Sequence, residues 1–184
     1  MRQEDKITEQ PSPYRHLENK SVGELLKEIN DEDHKVAEAV RKALPKIKTL
    51  VEKTEHRMKR GGRVFYIGAG TSGRLGVLDA SELPPTFGVS PSLVTGVIAG
   101  GDSALRNAVE NAEDHAMQGW DDLQSLQPTP DDTLIGIAAS GTAPYVIGAI
   151  KEARAHGLLT GCITSNPNTP LAEAAEFPIE TIVG

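Results

Sequence analysis

Apolar residues follow a helical period over the first third of the chain. From about residue 33 to residue 60 they recur at three-, four- and seven-residue steps, which predicts an amphipathic helix with one continuous apolar stripe. Pro45 lies inside this segment and predicts a kink or a break there. The stripe consists of Val36, Val40, Leu44, Ile47, Val51 and Met58.

A separate short helix is predicted before this one. Ser21 and Glu24 have the spacing of a capping box, and the residues that follow them have one apolar edge. Residues 1–20 are polar and contain Pro11 and Pro13, so we predict an arm without regular structure of its own.

From residue 61 onward the period changes. Five short runs of mainly aliphatic residues alternate with helical segments, which predicts right-handed crossovers and a parallel, doubly wound sheet. We therefore predict a three-layer α/β domain of five parallel strands over residues 61–184, preceded by the arm and helices of residues 1–60. The runs are VFYIG (64–68), LVTGVIA (93–99), TLIGIAA (133–139), LLTGCIT (158–164) and IETIV (179–183).

The turns that follow these runs are the candidate binding sites, since ligands of such sheets bind beyond the carboxyl ends of the strands. After the first run, Gly70 and Gly73 let the backbone approach a ligand closely, and Thr71 and Ser72 add hydroxyl groups. A predicted helix starts at the same point. Its free N–H groups favour an anion as the ligand.

The first turn also matches the G-x-G-x-x-G pattern of dinucleotide sites. Such a site requires an acidic residue about 20 residues further on, at the end of the second strand. Asp102, which follows the second run, lies well beyond that spacing. The spacing disfavours a dinucleotide, and a glycine turn without any ligand is the other alternative.

The third run ends in a second turn of the same kind. Ser140, Gly141 and Thr142 stand between a predicted strand and a predicted helix, with Pro144 as the first helical residue. A single turn of this kind could serve only as a helix cap. Two such turns at one sheet edge favour a phosphate site formed by both, and the fourth run ends in similar polar residues at 164–166.

The two turns resemble those of the sugar isomerase (SIS) phosphosugar-binding fold. Three longer segments, IGAGTSGRLGVLDASELPPTFG, IAGGDSALRNAVENAED and IGIAASGTAPYVIGAI, resemble the N-acetylmuramic acid 6-phosphate etherase family. The chain departs from this family at SGTAPY, where Thr142 stands in place of an Arg and Ala143 in place of a Thr. Family members also continue beyond the fifth strand, so we expect that their C-terminal part is absent here.

The resemblance implies a lyase that cleaves the D-lactyl ether of N-acetylmuramic acid 6-phosphate in the recycling of cell-wall sugars. The products are N-acetylglucosamine 6-phosphate and D-lactate, formed by elimination from the open-chain aldehyde and addition of water. The resemblance also implies two catalytic carboxylates, Glu82 and Glu113, and a homodimer, for which we expect the arm to cross to the partner. An aldose–ketose isomerase and a non-catalytic phosphosugar sensor are alternatives on the same fold.

The residues themselves give separate reasons to notice both carboxylates. Glu82 is predicted to end the first crossover helix, because prolines follow at 84–85. Glu113 is predicted to lie on a helix over residues 103–120, at the flank of its apolar stripe, a setting suited to general acid–base catalysis. On the same helix Glu110 is predicted to turn toward solvent.

Composition and charge limit the classes of partner and cofactor that the sequence favours. The 19 basic and 26 acidic residues give a net charge of −7, which argues against nucleic acid or an anionic membrane as a partner. No apolar stretch approaches the roughly 20 residues of a membrane span, and no secretory signal is visible, so a cytoplasmic protein is predicted. Neither a metal nor an organic cofactor is predicted, since no His/Cys cluster has ligand spacing and the elimination needs only acid–base groups.

Overall fold

The computed structural model describes residues 6–183. The arm contains two short 3-10 helices, Ile7–Glu9 and Leu17–Asn19, and leads into a long helix α1, Val22–Met58. None of the helices between residues 6 and 183 combines the length and the apolar character needed to cross a bilayer.

The predicted capping box is confirmed at the start of α1. The Glu24 N–H donates to Ser21 Oγ (3.3 Å), and the Glu24 carboxylate accepts from the Ser21 N–H (2.8 Å). The prediction of a short helix separate from a longer one was wrong, because α1 is a single helix from Val22 to Met58, and Pro45 does not break it. Pro45 and Arg41 are exposed, so water can pair with the Arg41 carbonyl group that the proline leaves without a donor.

Five parallel strands form one sheet in the order β2-β1-β3-β4-β5, which confirms the predicted fold class. Four of them match the predicted runs, but β5 begins two residues earlier than predicted. It lies at an edge of the sheet, where Pro178 is tolerated because its missing N–H removes no bond to a neighbouring strand. The strands are β1 (Val64–Gly68), β2 (Val94–Ile98), β3 (Thr133–Ile137), β4 (Leu159–Thr164) and β5 (Phe177–Glu180).

The first crossover helix, α2, spans Gly70–Phe87, and the prediction that it ends at Glu82 was wrong. Pro84 and Pro85 lie inside its last turn instead of terminating it. The helix ends at Gly88, which adopts a left-handed φ of 67° and donates its N–H to the Pro84 carbonyl (2.9 Å).

The predicted helix over residues 103–120 is also wrong. It is divided into a single turn, α3 (Ser103–Arg106), and a later helix, α4 (Gln118–Gln124). Between them Asn111 has a left-handed φ of 60°, and the Glu113 carbonyl accepts from the Tyr145 N–H (2.9 Å). The backbone of this segment therefore forms turns and a bond to Tyr145 instead of a continuous helix.

Helices cover both faces of the sheet, which confirms the three layers. On one face α1 and α2 pack on the strands, and on the other face lie α4, α5 (Pro144–Ala155) and α6 (Pro170–Ala174). The first layer is joined to the sheet by Ala43, Leu50, Val64, Ala80, Val94, Ile135, Leu159 and Ile179. The second is joined by a larger cluster that includes Phe65, Ile67, Leu134, Tyr145, Ile150 and Leu171.

A buried ion pair fixes the amino-terminal edge of the sheet. Asp132, 1% exposed, accepts from the Arg63 N–H (2.6 Å), from Arg63 Nη2 (2.8 Å) and from the Thr129 N–H (2.8 Å). Burial raises the pKa of Asp132, but the bonds from Arg63 and Thr129 outweigh it, so the pKa lies below its ordinary value.

We expect Asp132→Asn to lower the free energy of unfolding by about 3 kcal/mol at neutral pH, because it leaves Arg63 without its charged partner. A depressed pKa stabilises the fold above the ordinary carboxyl pKa, so the difference from wild type should shrink as the pH falls below about 4. Urea denaturation at several pH values measures both effects. The control is Asp131→Asn, which breaks an exposed pair with Arg60 and should cost less than about 1 kcal/mol. Equal losses in the two variants would contradict the argument.

Candidate functional site

The two glycine-containing turns lie side by side at the carboxyl edge of the sheet. β1 and β3 are neighbours, with Gly68 opposite Ile137, yet the chain leaves β1 toward β2 and leaves β3 toward β4. A 2-1-3-4-5 sheet therefore has its switch point between β1 and β3, where the two following turns separate and form a crevice. The predicted placement of the two turns at one sheet edge is confirmed.

The first turn brings the backbone to the mouth of this crevice. α2 starts at Gly70, whose φ is 53°. Its N-cap residue is Ala69, so no side chain caps the N–H groups at the start of the helix. Ser72 is half-buried and Thr71 is exposed in the first turn of the helix. Gly73 is required by packing, because a Cβ there would stand 2.6 Å from Ile98 Cγ1 and 2.7 Å from the Gly68 carbonyl oxygen.

The second turn is held by a short chain of hydroxyl groups. Thr142 donates from its N–H (3.3 Å) and from Oγ1 (3.1 Å) to Ser140 Oγ, so in the part of the chain that the structure describes the Ser140 hydroxyl hydrogen remains for another acceptor. Gly141 has a φ of 68°, and a Cβ on it would lie 2.4 Å from the Thr169 side chain. Ala143 is the N-cap of α5 and offers no side-chain cap.

A cleft of about 260 Å³ opens beside the first turn. Gly70 lines one wall, and the loop after α3 lines the other, including Glu110 and Glu113. Glu113 is exposed in a turn, so its predicted helical position was wrong, although the structure does bring it to the turn at Gly70. Glu110 is exposed, as predicted, and it also lines the same cleft as a second carboxylate.

Arg74 fixes the loop that carries these carboxylates. Its guanidinium donates to the carbonyl groups of Ala104 (2.9 Å), Leu105 (3.3 Å) and Asn107 (3.4 Å), where the chain leaves α3. Since the Glu113 carbonyl is also bound to the Tyr145 N–H, the loop is tied to the starts of both α2 and α5. Arg74 was not among the residues for which the sequence predicted a role.

Glu82 lies far from the cleft of its own chain. It is exposed on α2, 12 residues after Gly70, which corresponds to about 18 Å along the helix axis. It shares one face of α2 with Leu75 and Leu78, which are 56% and 57% exposed. The structure therefore does not bring Glu82 and Glu113 together within one chain.

The arm reaches the second turn, which sequence reasoning missed. The Lys6 ammonium donates to Thr142 Oγ1 (3.1 Å). The Thr8 N–H donates to Asn166 Oδ1 (3.2 Å), and Asn166 Nδ2 donates back to Thr8 Oγ1 (3.0 Å). Asn166 was noticed only as a polar residue after the fourth run. The described residues of the arm thus contact their own chain, and crossing to a partner stays a prediction.

Cys162 is fully buried in β4, and burial raises the pKa of its thiol to about 12, so it is a core residue in this fold. Within residues 6–183 no group of three or more His, Cys, Asp or Glu side chains is placed to hold a metal ion.

The architecture and the paired turns define a SIS-type domain. Solved phosphoheptose isomerases from Francisella tularensis (TM-score 0.66, 21% identity) and Neisseria gonorrhoeae (TM-score 0.60, 20% identity) share the fold, with 85% of each chain covered in both comparisons. The chain belongs to the family of the glucokinase regulatory protein N-terminal SIS domain, whose model matches residues 43–154, more than half of the sequence.

The resemblance to the etherase family is confirmed by curated relatives. The chain is 65% identical over 179 residues to the N-acetylmuramic acid 6-phosphate etherase of Bacteroides thetaiotaomicron, covering 97% of this chain and 65% of the relative. It is 64% identical over 180 residues to the etherase of Porphyromonas gingivalis, covering 98% and 66%. The chain thus spans just under two thirds of the length of these relatives.

Proposed function

We propose that the protein is a carbon–oxygen lyase that cleaves the D-lactyl ether of N-acetylmuramic acid 6-phosphate. The observation that carries this proposal is a carboxylate, Glu113, in a cleft beside an uncapped helix start at the switch point of a SIS-type sheet. The 65% identity to an etherase of that name supports this substrate over other phosphosugars. The products are N-acetylglucosamine 6-phosphate and D-lactate.

The two turns are proposed to bind the phosphate. N–H groups at the start of α2 and hydroxyl groups from both turns suit the oxygens of a phosphate monoester. The strand order, in which both turns follow neighbouring strands at the crevice, supports a phosphate site shared by the two turns. The proposed residues are Gly70, Thr71, Ser72, Gly73, Ser140, Gly141 and Thr142.

Glu113 and Glu82 are proposed to carry out the elimination. With the sugar as an open-chain aldehyde, a base removes the proton on carbon 2, the ether bond to lactate breaks, and an acid protonates the departing oxygen. Water then adds to the unsaturated intermediate. Glu113 is the proposed base, because its loop is fixed beside the cleft by Arg74 and by the Tyr145 N–H.

Glu82 is proposed to serve the site of a second subunit. Its distance from Gly70 within one chain excludes direct contact with a sugar bound at Gly70, and Leu75 and Leu78 on the same helix face are exposed. The predicted stripe of α1 is exposed in large part as well, since Ala39, Ala43 and Leu50 pack inward instead. Exposed apolar surface of this extent is typical of an interface and supports a homodimer. The exposed stripe residues are Val36, Val40, Leu44 and Val51.

We expect Leu78→Glu to convert the dimer to a monomer, because it places a charge in the apolar face of α2. Sedimentation equilibrium at micromolar concentration measures the change. Met117→Glu is the matched control, because Met117 is 53% exposed and precedes α4, on the opposite face of the sheet. A wild-type protein that sediments as a monomer would refute the homodimer.

Residues 61–184 are proposed to form the phosphosugar-binding domain, and residues 1–60 its N-terminal extension. We further propose that the enzyme acts in the cytoplasm, in the recycling of cell-wall sugars. An acidic chain with one buried thiol suits that compartment.

The proposal is tested by incubating the protein with N-acetylmuramic acid 6-phosphate and measuring D-lactate. Release of D-lactate supports the lyase. Interconversion of aldose and ketose phosphates without D-lactate would favour an isomerase. Binding of the sugar phosphate without turnover would favour a sensor. The match to the family model of the glucokinase regulatory protein N-terminal SIS domain is compatible with that alternative.

A further inference from the structure

The buried side chain of Asn166 attaches the arm to the carboxyl edge of the sheet. Asn166 has no exposed surface, and its side chain bonds Thr8 in both directions while Nδ2 also reaches the carbonyl groups of Ala139 (3.2 Å) and Ser140 (3.4 Å). The same amide thus binds the arm and the second turn. This arrangement holds Lys6, two residues before Thr8, against Thr142.

We propose that Lys6 is the cation that binds the phosphate at the second turn, and that Thr8 and Asn166 position it there. This inference rests on the proposed phosphosugar function. The Lys6 ammonium has three donors, and Thr142 Oγ1 takes one of them, so among the described residues two N–H groups are left for a ligand. Within residues 6–183 the Ser140 hydroxyl hydrogen has no acceptor either, because Ser140 Oγ accepts from Thr142 there and donates to no described atom.

Lys6 is better placed than Arg74 to bind the phosphate as a cation. The guanidinium of Arg74 is bound to the carbonyl groups of Ala104, Leu105 and Asn107, so it supports a loop. The net charge of the chain is −7, so an approaching phosphate meets no attractive charge from the protein as a whole. A half-buried ammonium at the turn supplies that charge locally.

Calorimetric titration with N-acetylglucosamine 6-phosphate tests the role of Lys6. We expect Lys6→Met to weaken binding by roughly tenfold and to reduce its dependence on ionic strength, because one charged contact is lost. Lys6→Arg retains the charge and should bind within about threefold of wild type. The control is Lys53→Met, an exposed lysine of α1 about one turn from Arg57, which bonds the loops at the opposite end of the sheet.

Unchanged affinity in Lys6→Met, or weaker affinity with the ionic-strength dependence of wild type, would overturn the inference. A wild-type protein that fails to bind the sugar phosphate would instead refute the proposed function itself. Thr8→Val tests the positioning, since it removes the hydroxyl that accepts from Asn166. We expect it to weaken binding about threefold in wild type and to change little in the Lys6→Met background. Equal effects of Thr8→Val in both backgrounds would show that Thr8 does not act through Lys6.

Discussion

Glu113→Gln is expected to lower turnover by about 10²–10⁴-fold while binding of the sugar phosphate changes little. The proposed phosphate contacts come from the two turns, whereas the Glu113 side chain faces the cleft beside them. The position of its loop depends on backbone bonds, notably from the Tyr145 N–H to the Glu113 carbonyl, so the side-chain amide does not disturb the anchor. Rates of D-lactate release and a binding titration separate the two effects.

Glu110 is the rival for the role of base, because it lines the same cleft. Exchange of the carbon 2 proton with deuterium in D₂O distinguishes the two carboxylates. If Glu113 is the base, Glu113→Gln abolishes exchange and Glu110→Gln retains most of it. The reverse pattern would assign the base to Glu110. Asp114→Asn is the neutral control, since Asp114 is exposed in the same loop but lies outside the cleft lining.

The sheet could be predicted from the sequence because each strand is a short apolar run between turns. Buried parallel strands leave this signal directly, and the boundaries of β1, β2, β3 and β4 differ from the predicted runs by two residues or fewer. The order of the strands in the sheet cannot be predicted from such runs. That the turns after β1 and β3 meet follows from the general rule for doubly wound sheets, and the register of Gly68 with Ile137 confirms it.

Two predictions of helix boundaries were wrong, for different reasons. Residues 103–120 have a helical period, but in the loop between α3 and α4 the Glu113 carbonyl bonds the Tyr145 N–H and the Asn107 carbonyl bonds Arg74. The prolines after Glu82 predicted a stop, although the left-handed residue that ends α2 is Gly88. The first error came from a contact elsewhere in the chain, whereas the second came from taking the prolines as the helix stop instead of Gly88.

The contribution of the arm to the candidate site could not be predicted. Lys6 and Thr8 lie in a polar segment without apolar period, and their contacts are 136 and 158 residues away along the chain. No local pattern encodes such a pairing. Asn166 could be noticed, since polar residues after a parallel strand are candidate site residues. Its bonding partner, Thr8, could not be predicted from the sequence.

Glu82→Gln is expected to lower turnover by about 10²–10⁴-fold as well, without changing stability. The Glu82 side chain is exposed on α2, so the fold should tolerate the amide. Since about 18 Å of helix separates Glu82 from Gly70, a large loss in turnover would require that another subunit bring Glu82 to the site. Turnover within about threefold of wild type would remove Glu82 from the mechanism.

Mixed dimers of Glu82→Gln and Glu113→Gln chains determine which subunit supplies each carboxylate. If every site takes Glu113 from one subunit and Glu82 from its partner, a mixed dimer has one site with both glutamates and one with neither. Random assembly makes about half of the dimers mixed, so co-refolding the two inactive variants should restore about a quarter of the wild-type turnover. If both glutamates came from the same chain, every site would lack one of them and the mixture would stay as inactive as its parents. Co-refolding each variant with itself gives the baseline against which the recovery is measured.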